Sequence, residues 1–224
     1  MKAMLLAAGR GERLRPLTDR TPKALVPAGG KPLIAWHLER LAAAGCRDAV
    51  INVSHLAEQI VDYVGNGARF GLRVAYSREA EPLETAGGIA QALPILGAAP
   101  FLLVNADIYC EVDFRRLLAL ELGPMLAHLV LVQNPPHRAQ GDFALIARRV
   151  GNDGTPRYTY SGIAVMSPQL VRPVRCGDKA PLAPLLRSAA NENRISGEVF
   201  EGLWQDVGTV ERLAELETQL ASRK

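Results

Sequence analysis

A five-residue apolar run, Met4 to Ala8, empties directly into Gly9-Arg10-Gly11-Glu12-Arg13, and the segment continues through Pro16, Pro22-Lys23 and Pro27. An apolar stretch this short, closed by glycine, reads as a buried strand. Glycines directly behind a strand let backbone N–H groups approach an anion closely. Arg13 and Lys23 add two cations, and the prolines stiffen the loop between and beyond them. Such a loop is suited to hold a polyphosphate. It is neither of the two familiar phosphate loops. The dinucleotide fingerprint needs a third small residue where this chain has Leu14, and the Walker A loop needs a Gly-Lys-Ser/Thr run that does not occur.

A strand that ends in a phosphate loop needs further strands beside it, and the first half of the chain supplies them. Leu33, Trp36, Leu38 and Leu41 fall at helical spacing before Gly45. Ala49–Val53 is a second strand, Leu56–Val64 a helix, Arg73–Tyr76 a short strand, Gly87–Leu96 a helix, Phe101–Val104 a buried strand and Phe114–Leu120 a helix. This alternation predicts an α/β fold, a mostly parallel sheet covered by helices on both faces. After Leu126 the rhythm changes. Leu129–Val132, Phe143–Ala147, Tyr158–Met166 and Val199–Val207 read as extended, with Gly151-Asn152-Asp153-Gly154 as a hairpin turn. Leu182–Ala190 reads as helical, and Thr209 as the cap of a final helix. With 224 residues and no long linker or repeat, one domain spanning 1–224 is expected, the later segment extending the same sheet.

Composition excludes several classes. The net charge is only +3, with basic and acidic residues interleaved, so no nucleic-acid partner is indicated. No run approaches the ~20 apolar residues that span a bilayer, and the apolar start is too short for a secretory leader. Cys46, Cys110 and Cys176 are odd in number and widely spaced, which suits a reduced cytoplasmic protein.

Asp107 closes the buried strand that runs through Val104-Asn105-Ala106, and in open α/β sheets ligands bind beyond the carboxyl ends of strands. Asp206 closes a second extended run just before Gly208. Either one alone also reads as a turn or helix-initiating residue. Together, facing a Gly/Arg/Lys loop, they meet the needs of Mg²⁺, which takes one or two carboxylates and completes its octahedron with phosphate and water oxygens.

The combination Gly9-x-Gly11-x-Arg13-Leu14-x-Pro16-Leu17-Thr18, then Pro22-Lys23 and Pro27, resembles the opening motif of the sugar-1-phosphate nucleotidyltransferases. Asn105-Ala106-Asp107 and Trp204-x-Asp206-x-Gly208-Thr209 resemble that family's two metal-ligand motifs. Thr85-Ala86-Gly87-Gly88 resembles its nucleobase element, and Tyr160-Ser161-Gly162-Ile163 its sugar-pocket strand. Asn134-Pro135-Pro136-His137 with Gly141-Asp142-Phe143 resembles one branch, the bacterial N-acetylmuramate-1-phosphate uridylyltransferases, which serve cell-wall sugar recycling. The resemblance covers essentially the whole chain. It implies a Rossmann-like core without an appended β-helix, in which residues 1–125 mainly bind nucleotide and residues 126–224 mainly bind sugar.

The resemblance further implies catalytic roles for Arg13 and Lys23, a nucleotide site of Leu6, Ala8, Gly9, Gly11, Arg13, Lys23, Gly87, Gly88 and Asn105, a sugar site of Glu84, Asp142, Tyr160 and Gly162, and Mg²⁺ on Asp107 and Asp206. The implied reaction joins an NTP, best UTP, to a sugar 1-phosphate, best N-acetylmuramate 1-phosphate, with release of pyrophosphate, in a monomer or small homo-oligomer. Guanylyl transfer to mannose 1-phosphate, thymidylyl transfer to glucose 1-phosphate and a non-enzymatic nucleotide-sugar sensor are the rivals. Retention of Lys23, Asp107 and Asp206 argues against the sensor. One departure stands out. Many relatives carry Glu-Lys-Pro before the sugar-pocket strand, with the lysine on the sugar phosphate; here 147–158 lack it, leaving Arg148 or Arg157 as substitutes. A muramic sugar's lactyl carboxylate calls for a cation or backbone donors near the sugar, and Arg138, Arg148 and Arg157 are the candidates.

Overall fold

The computed structural model describes residues 1–223. The strand before the glycine loop is β1 (Lys2–Leu6). A small hairpin, β2 (Pro27–Ala28) and β3 (Lys31–Pro32), leads to α1 (Leu33–Ala43). Then follow β4 (Asp48–Val53), α2 (Ala57–Val64), β5 (Arg73–Arg78), α3 (Glu84–Leu96), β6 (Phe101–Asn105), β7 (Ile108–Cys110) and α4 (Phe114–Leu118). The second half contributes β8 (Ala127–Val132), β9 (Phe143–Ile146), β10 (Arg149–Gly151), β11 (Arg157–Met166), α5 (Ala183–Asn191), β12 (Ile195–Phe200), β13 (Trp204–Asp206) and α6 (Val210–Ala221).

Nine strands form one sheet in the order β5-β4-β1-β6-β11-β8-β12-β10-β9. The block β5-β4-β1-β6 is parallel throughout. The later strands join it in mixed sense: β11 runs antiparallel to β6 and β8, while β12 is parallel to β8. Both halves of the chain thus build one continuous sheet. Side chains of β1 alternate between two cores, Ala3 and Leu5 on one face and Met4 on the other. Ile34 and Leu38 of α1, Ile60 of α2 and Phe114 of α4 cover the first face, and Ile89 of α3 with Leu186 of α5 the second. Burial on both faces is why these strands read as unbroken apolar runs. A third, smaller cluster seats Leu216 and Leu220 of α6 against Leu33, Tyr109 and Val207. Among the described residues no helix is long and apolar enough to cross a membrane.

Three boundaries differ from the sequence reading. Helix α3 starts at Glu84, ahead of the expected Gly87, so Thr85 and Ala86 lie inside it. The extended run Val199–Val207 is two strands in two sheets, parted at Gly202, where a Cβ would come within 2.4 Å of the Phe200 ring. The hairpin turn after β9 is Ala147-Arg148, with φ of 47° and 66°, as a two-residue hairpin turn requires. Gly151–Gly154 instead joins β10 to β11, which do not pair with each other. Neither Ala147 nor Arg148 is a residue type that announces positive φ, so the true turn carries no sequence signal.

Candidate active site

The glycine loop leaves the carboxyl end of β1 and comes back at Lys23, whose ammonium reaches Asp107 just beyond β6. Gly11 has φ +66°, and a Cβ there would lie 2.9 Å from the Thr18 methyl and 3.1 Å from Lys23 Cβ. Glycine is therefore required for the loop to close on itself. Thr18 Oγ1 donates to the Gly11 carbonyl at 2.8 Å. Leu14, where a dinucleotide loop would have a third small residue, is fully buried and anchors the loop in the core. Arg13 is exposed at the loop surface, whereas Lys23 is buried.

Asp107 and Asp206 are brought together by a two-stranded antiparallel ribbon. β13 pairs with β7 so that Asp206 is in register with Ile108, and the Val207 N–H donates to the Asp107 carbonyl at 3.1 Å. Two residues 99 positions apart become neighbours across a strand pair. Each carboxylate also has a cation. Lys23 Nζ donates to Asp107 Oδ2, and Arg212 Nη1 donates to Asp206 Oδ2 at 2.7 Å. Among the described residues no hydrogen bond reaches Oδ1 of either aspartate. Gly208 keeps this geometry open: a Cβ there would lie 2.4 Å from Arg212 Nη2 and 2.9 Å from Asp206 Oδ1. Thr209 caps α6, accepting from the Arg212 N–H at 3.4 Å, as its position predicted.

A hard divalent cation fits this donor set. Both carboxylates line one cavity, and among the described residues each has an oxygen that accepts no hydrogen bond. No group of three or more His, Cys, Asp or Glu ligands occurs among the described residues, so further ligands would come from phosphate and water.

Two cavities meet at this ribbon. One, of about 190 Å³, is bounded by Leu6, Ala7, Ala8, Gly9 and Lys23 of the loop and by Asn52, Glu79 and Pro82. The other, of about 480 Å³, is bounded by Asp142, Tyr160, Gly162, Trp204 and the start of α5. Glu84, Thr85, Asn105 and Asp107 line both. Glu84 holds φ +60°, an uncommon conformation for a residue with a side chain, at the junction.

The smaller cavity rests on a buried network that the sequence did not announce. Asn52 Oδ1 accepts from the Ala7 N–H at 2.8 Å, and its amide donates to Glu79 Oε1 at 2.6 Å. Glu79 Oε2 accepts from the Leu83 N–H at 2.9 Å. Gly88 packs onto this network: a Cβ there would lie 2.6 Å from Glu79 Oε1 and 2.8 Å from Asn52 Nδ2. At Gly87 a Cβ would lie 2.3 Å from the Asp178 carbonyl. Both glycines are buried, and their missing side chains make room for protein atoms. The cavity wall expected of Gly87 and Gly88 is instead formed by Pro82, Glu84 and Thr85. The apolar run around it hides the network, because Asn52 sits inside AVINV like a strand residue and Glu79 in a loop.

The larger cavity has its own backbone adjustment. β11 bulges between Tyr160 and Ile163, and Gly162 takes φ +83°. A Cβ on Gly162 would lie 2.6 Å from Asn105 Nδ2, so the glycine first of all admits the Asn105 amide. Asp142 Oδ2 accepts from the Tyr160 N–H at 2.8 Å and pairs with Arg138 at 3.4 Å. Trp204 Nε1 donates to the Ser161 carbonyl at 2.9 Å, tying the ribbon to the bulge. The Tyr160 hydroxyl is buried without a hydrogen-bond partner among the described residues, and burial raises its pKa.

Of the three arginines considered for the sugar, only Arg138 lines the cavity. Arg157 is spent on backbone carbonyls of Gln140, Asn152 and Asp142, at 3.1, 2.5 and 3.0 Å. Arg148 is exposed in the β9–β10 turn. Arg187 of α5 lines the cavity and was not singled out by any motif. His137 contacts Arg212 at 2.9 Å and lies 3.8 Å from Asp206 Oδ2. Desolvation first, and Arg212 second, hold its pKa below the usual value.

Comparison with known proteins matches this geometry. Residues 2–152 match the family model described as nucleotidyl transferase. The N-acetylmuramate alpha-1-phosphate uridylyltransferase of Neisseria meningitidis serogroup B is 50% identical over 224 residues, covering 96% of each chain. The glucose-1-phosphate thymidylyltransferase of Streptomyces griseus is 30% identical over 96% of this chain but only 65% of its own length. Among solved structures, a UDP-glucose pyrophosphorylase complexed with UDP-glucose superposes with a TM-score of 0.80 at 19% identity, over 100% of this chain and 99% of the other. HddC from Yersinia pseudotuberculosis complexed with GMP-PN superposes at 0.78 and 21% identity, over 97% and 98%. With a glycine loop, a paired-aspartate ribbon and a fold shared from end to end, this chain belongs to the nucleotidyl transferase family.

Proposed function

We propose that this protein transfers the uridylyl group of UTP to N-acetylmuramate α-1-phosphate, releasing pyrophosphate and forming the UDP-sugar. The observation that carries the reaction type is the meeting of Asp107, Asp206 and Lys23 where the two cavities join. The choice of sugar and base is supported by the 50% identity, over nearly the full length of both chains, to a relative named for that activity.

The nucleophile is the sugar phosphate, already an anion, so no general base is required. Its oxygen forms a bond to the α-phosphorus as the bond to pyrophosphate breaks, in line. Gly9 and Gly11 allow loop N–H groups to approach the triphosphate, with Arg13 beside them. Lys23 neutralises charge developing on the α-phosphate. Mg²⁺ held by Asp107 and Asp206 would supply further charge neutralisation and a template for the two phosphates. The smaller cavity would take the nucleotide and the larger the sugar, so that residues 1–125 and 126–224 divide the two substrates. Rate enhancement then comes from positioning and preorganised charge. Three free cysteines, two of them buried, suit a cytoplasmic enzyme of cell-wall sugar recycling, acting as a monomer or small homo-oligomer without nucleic acid.

A pyrophosphate-release assay crossing UTP, GTP and dTTP with N-acetylmuramate, N-acetylglucosamine, glucose and mannose 1-phosphates tests this reading. UTP with N-acetylmuramate 1-phosphate is expected to be fastest. A preference for GTP, or equal turnover of glucose 1-phosphate, would overturn the substrate assignment and leave nucleotidyl transfer standing.

A further inference from the structure

The larger cavity presents three guanidinium groups, those of Arg13, Arg138 and Arg187. Arg13 belongs to the phosphate loop. Arg138 has its charge taken up by Asp142 at 3.4 Å. Arg187 differs from Arg138: among the described residues it forms no ion pair, and its hydrogen bond to Asn152 Oδ1 is long, at 3.4 Å.

Neutral groups hold it in place instead. The guanidinium carbon lies 5.2 Å from the centre of the Phe143 ring, a buried wall of the same cavity. The backbone beneath is fixed from the other side, where Asn152 Nδ2 donates to the Arg187 carbonyl at 2.8 Å and to Asn191 Oδ1 at 2.6 Å. A planar cation held by an aromatic face and an amide, with no ion-pair partner among the described residues, is a receptor for an anion, and its fork matches a carboxylate as well as a phosphate. The phosphate of a sugar 1-phosphate must lie at the aspartate ribbon to react. The Arg187 side chain contacts Phe143 of β9 and Asn152 of the β10–β11 loop, and among the described residues it contacts neither aspartate of the ribbon nor their cations, which points to a second anion carried elsewhere on the sugar.

We propose that Arg187 is a specificity-determining residue, pairing with a carboxylate substituent on the sugar ring. This rests on the muramate reading, in which the lactyl ether supplies that carboxylate. Neutral hexose phosphates lack the group and forgo the contact.

The test is kcat/KM with UTP for N-acetylmuramate 1-phosphate and N-acetylglucosamine 1-phosphate in the wild type, Arg187→Gln and Arg187→Lys. Arg187→Gln should lose roughly tenfold on the muramate substrate, through KM, the scale of one charge-assisted contact reached by solvent. Its value for N-acetylglucosamine 1-phosphate should stay within about twofold. Arg187→Lys should recover part of the loss, since the charge is kept and the fork is not. A wild type that prefers the muramate substrate with that preference intact in Arg187→Gln would overturn the proposal alone. Equal losses on both sugars would also overturn it, showing a general effect on the cavity wall. A wild type without preference for the muramate substrate would overturn the substrate reading and this proposal with it.

Discussion

Lys23 shows how one side chain joins the glycine loop, the aspartate ribbon and the fold. It packs against Gly11, which has no side chain to exclude it, and its ammonium reaches Asp107. Lys23→Ala is expected to lower turnover by ~10²–10³, the scale of losing one preorganised electrostatic contact. The protein should stay folded, because Asp107 is 35% exposed and water can replace the lost partner. Steady-state kinetics beside a melting curve separate the two effects; near-normal turnover would remove Lys23 from the mechanism. At the same scale Gly162 and Gly88 gain a more specific meaning than glycine in a motif. Each leaves out a Cβ that would strike an amide, that of Asn105 or Asn52.

The decisive element is the β7–β13 ribbon, which α1 holds from behind. The His37 ring accepts no role as metal ligand; its Nε2–H donates to the Ile108 carbonyl at 2.7 Å, one residue from Asp107. Burial lowers its pKa to about 4, and its Nδ1 has no partner among the described residues. The folded state therefore holds His37 neutral while the unfolded chain takes up a proton near pH 6.5. The contribution is complete above that value and is lost as pH falls towards 4, by up to about 3 kcal/mol. Urea midpoints at pH 7 and pH 5 should thus diverge more in the wild type than in His37→Gln, which keeps a donor for Ile108 but does not titrate. An identical pH dependence in the two would show that His37 is not the group responsible.

For the molecule as a whole, one sheet carries both cavities, and the ribbon seals their junction. Asp107→Asn and Asp206→Asn should each leave a folded protein with greatly weakened divalent-cation-dependent turnover, because asparagine keeps the shape and loses the charge that a hard cation prefers. The double variant should be about as impaired as the poorer single one, since the two carboxylates act as a unit. Multiplicative losses would show separate roles, and wild-type activity that survives EDTA would contradict the metal site.

Much of this was legible in the chain itself. Local periodicity marks β1, β4, β6 and the helices between them, because strands buried on both faces must be apolar and helices must present one apolar stripe. The glycine loop, the aspartate at each strand end and the Thr209 cap are local patterns, and local rules find them. The structure alone decided what depends on distant pairing. The register that sets Asp206 opposite Ile108, the burial of Gly87 and Gly88, the Asn52–Glu79 network and the presence of Arg187 in the larger cavity all arise between residues far apart in sequence. The hairpin at Ala147-Arg148 has no local signal for a related reason, since those residues accept positive φ only because the paired strands hold them there. A single residue states its own chemistry, but which partner meets it is settled by the packing of the whole chain.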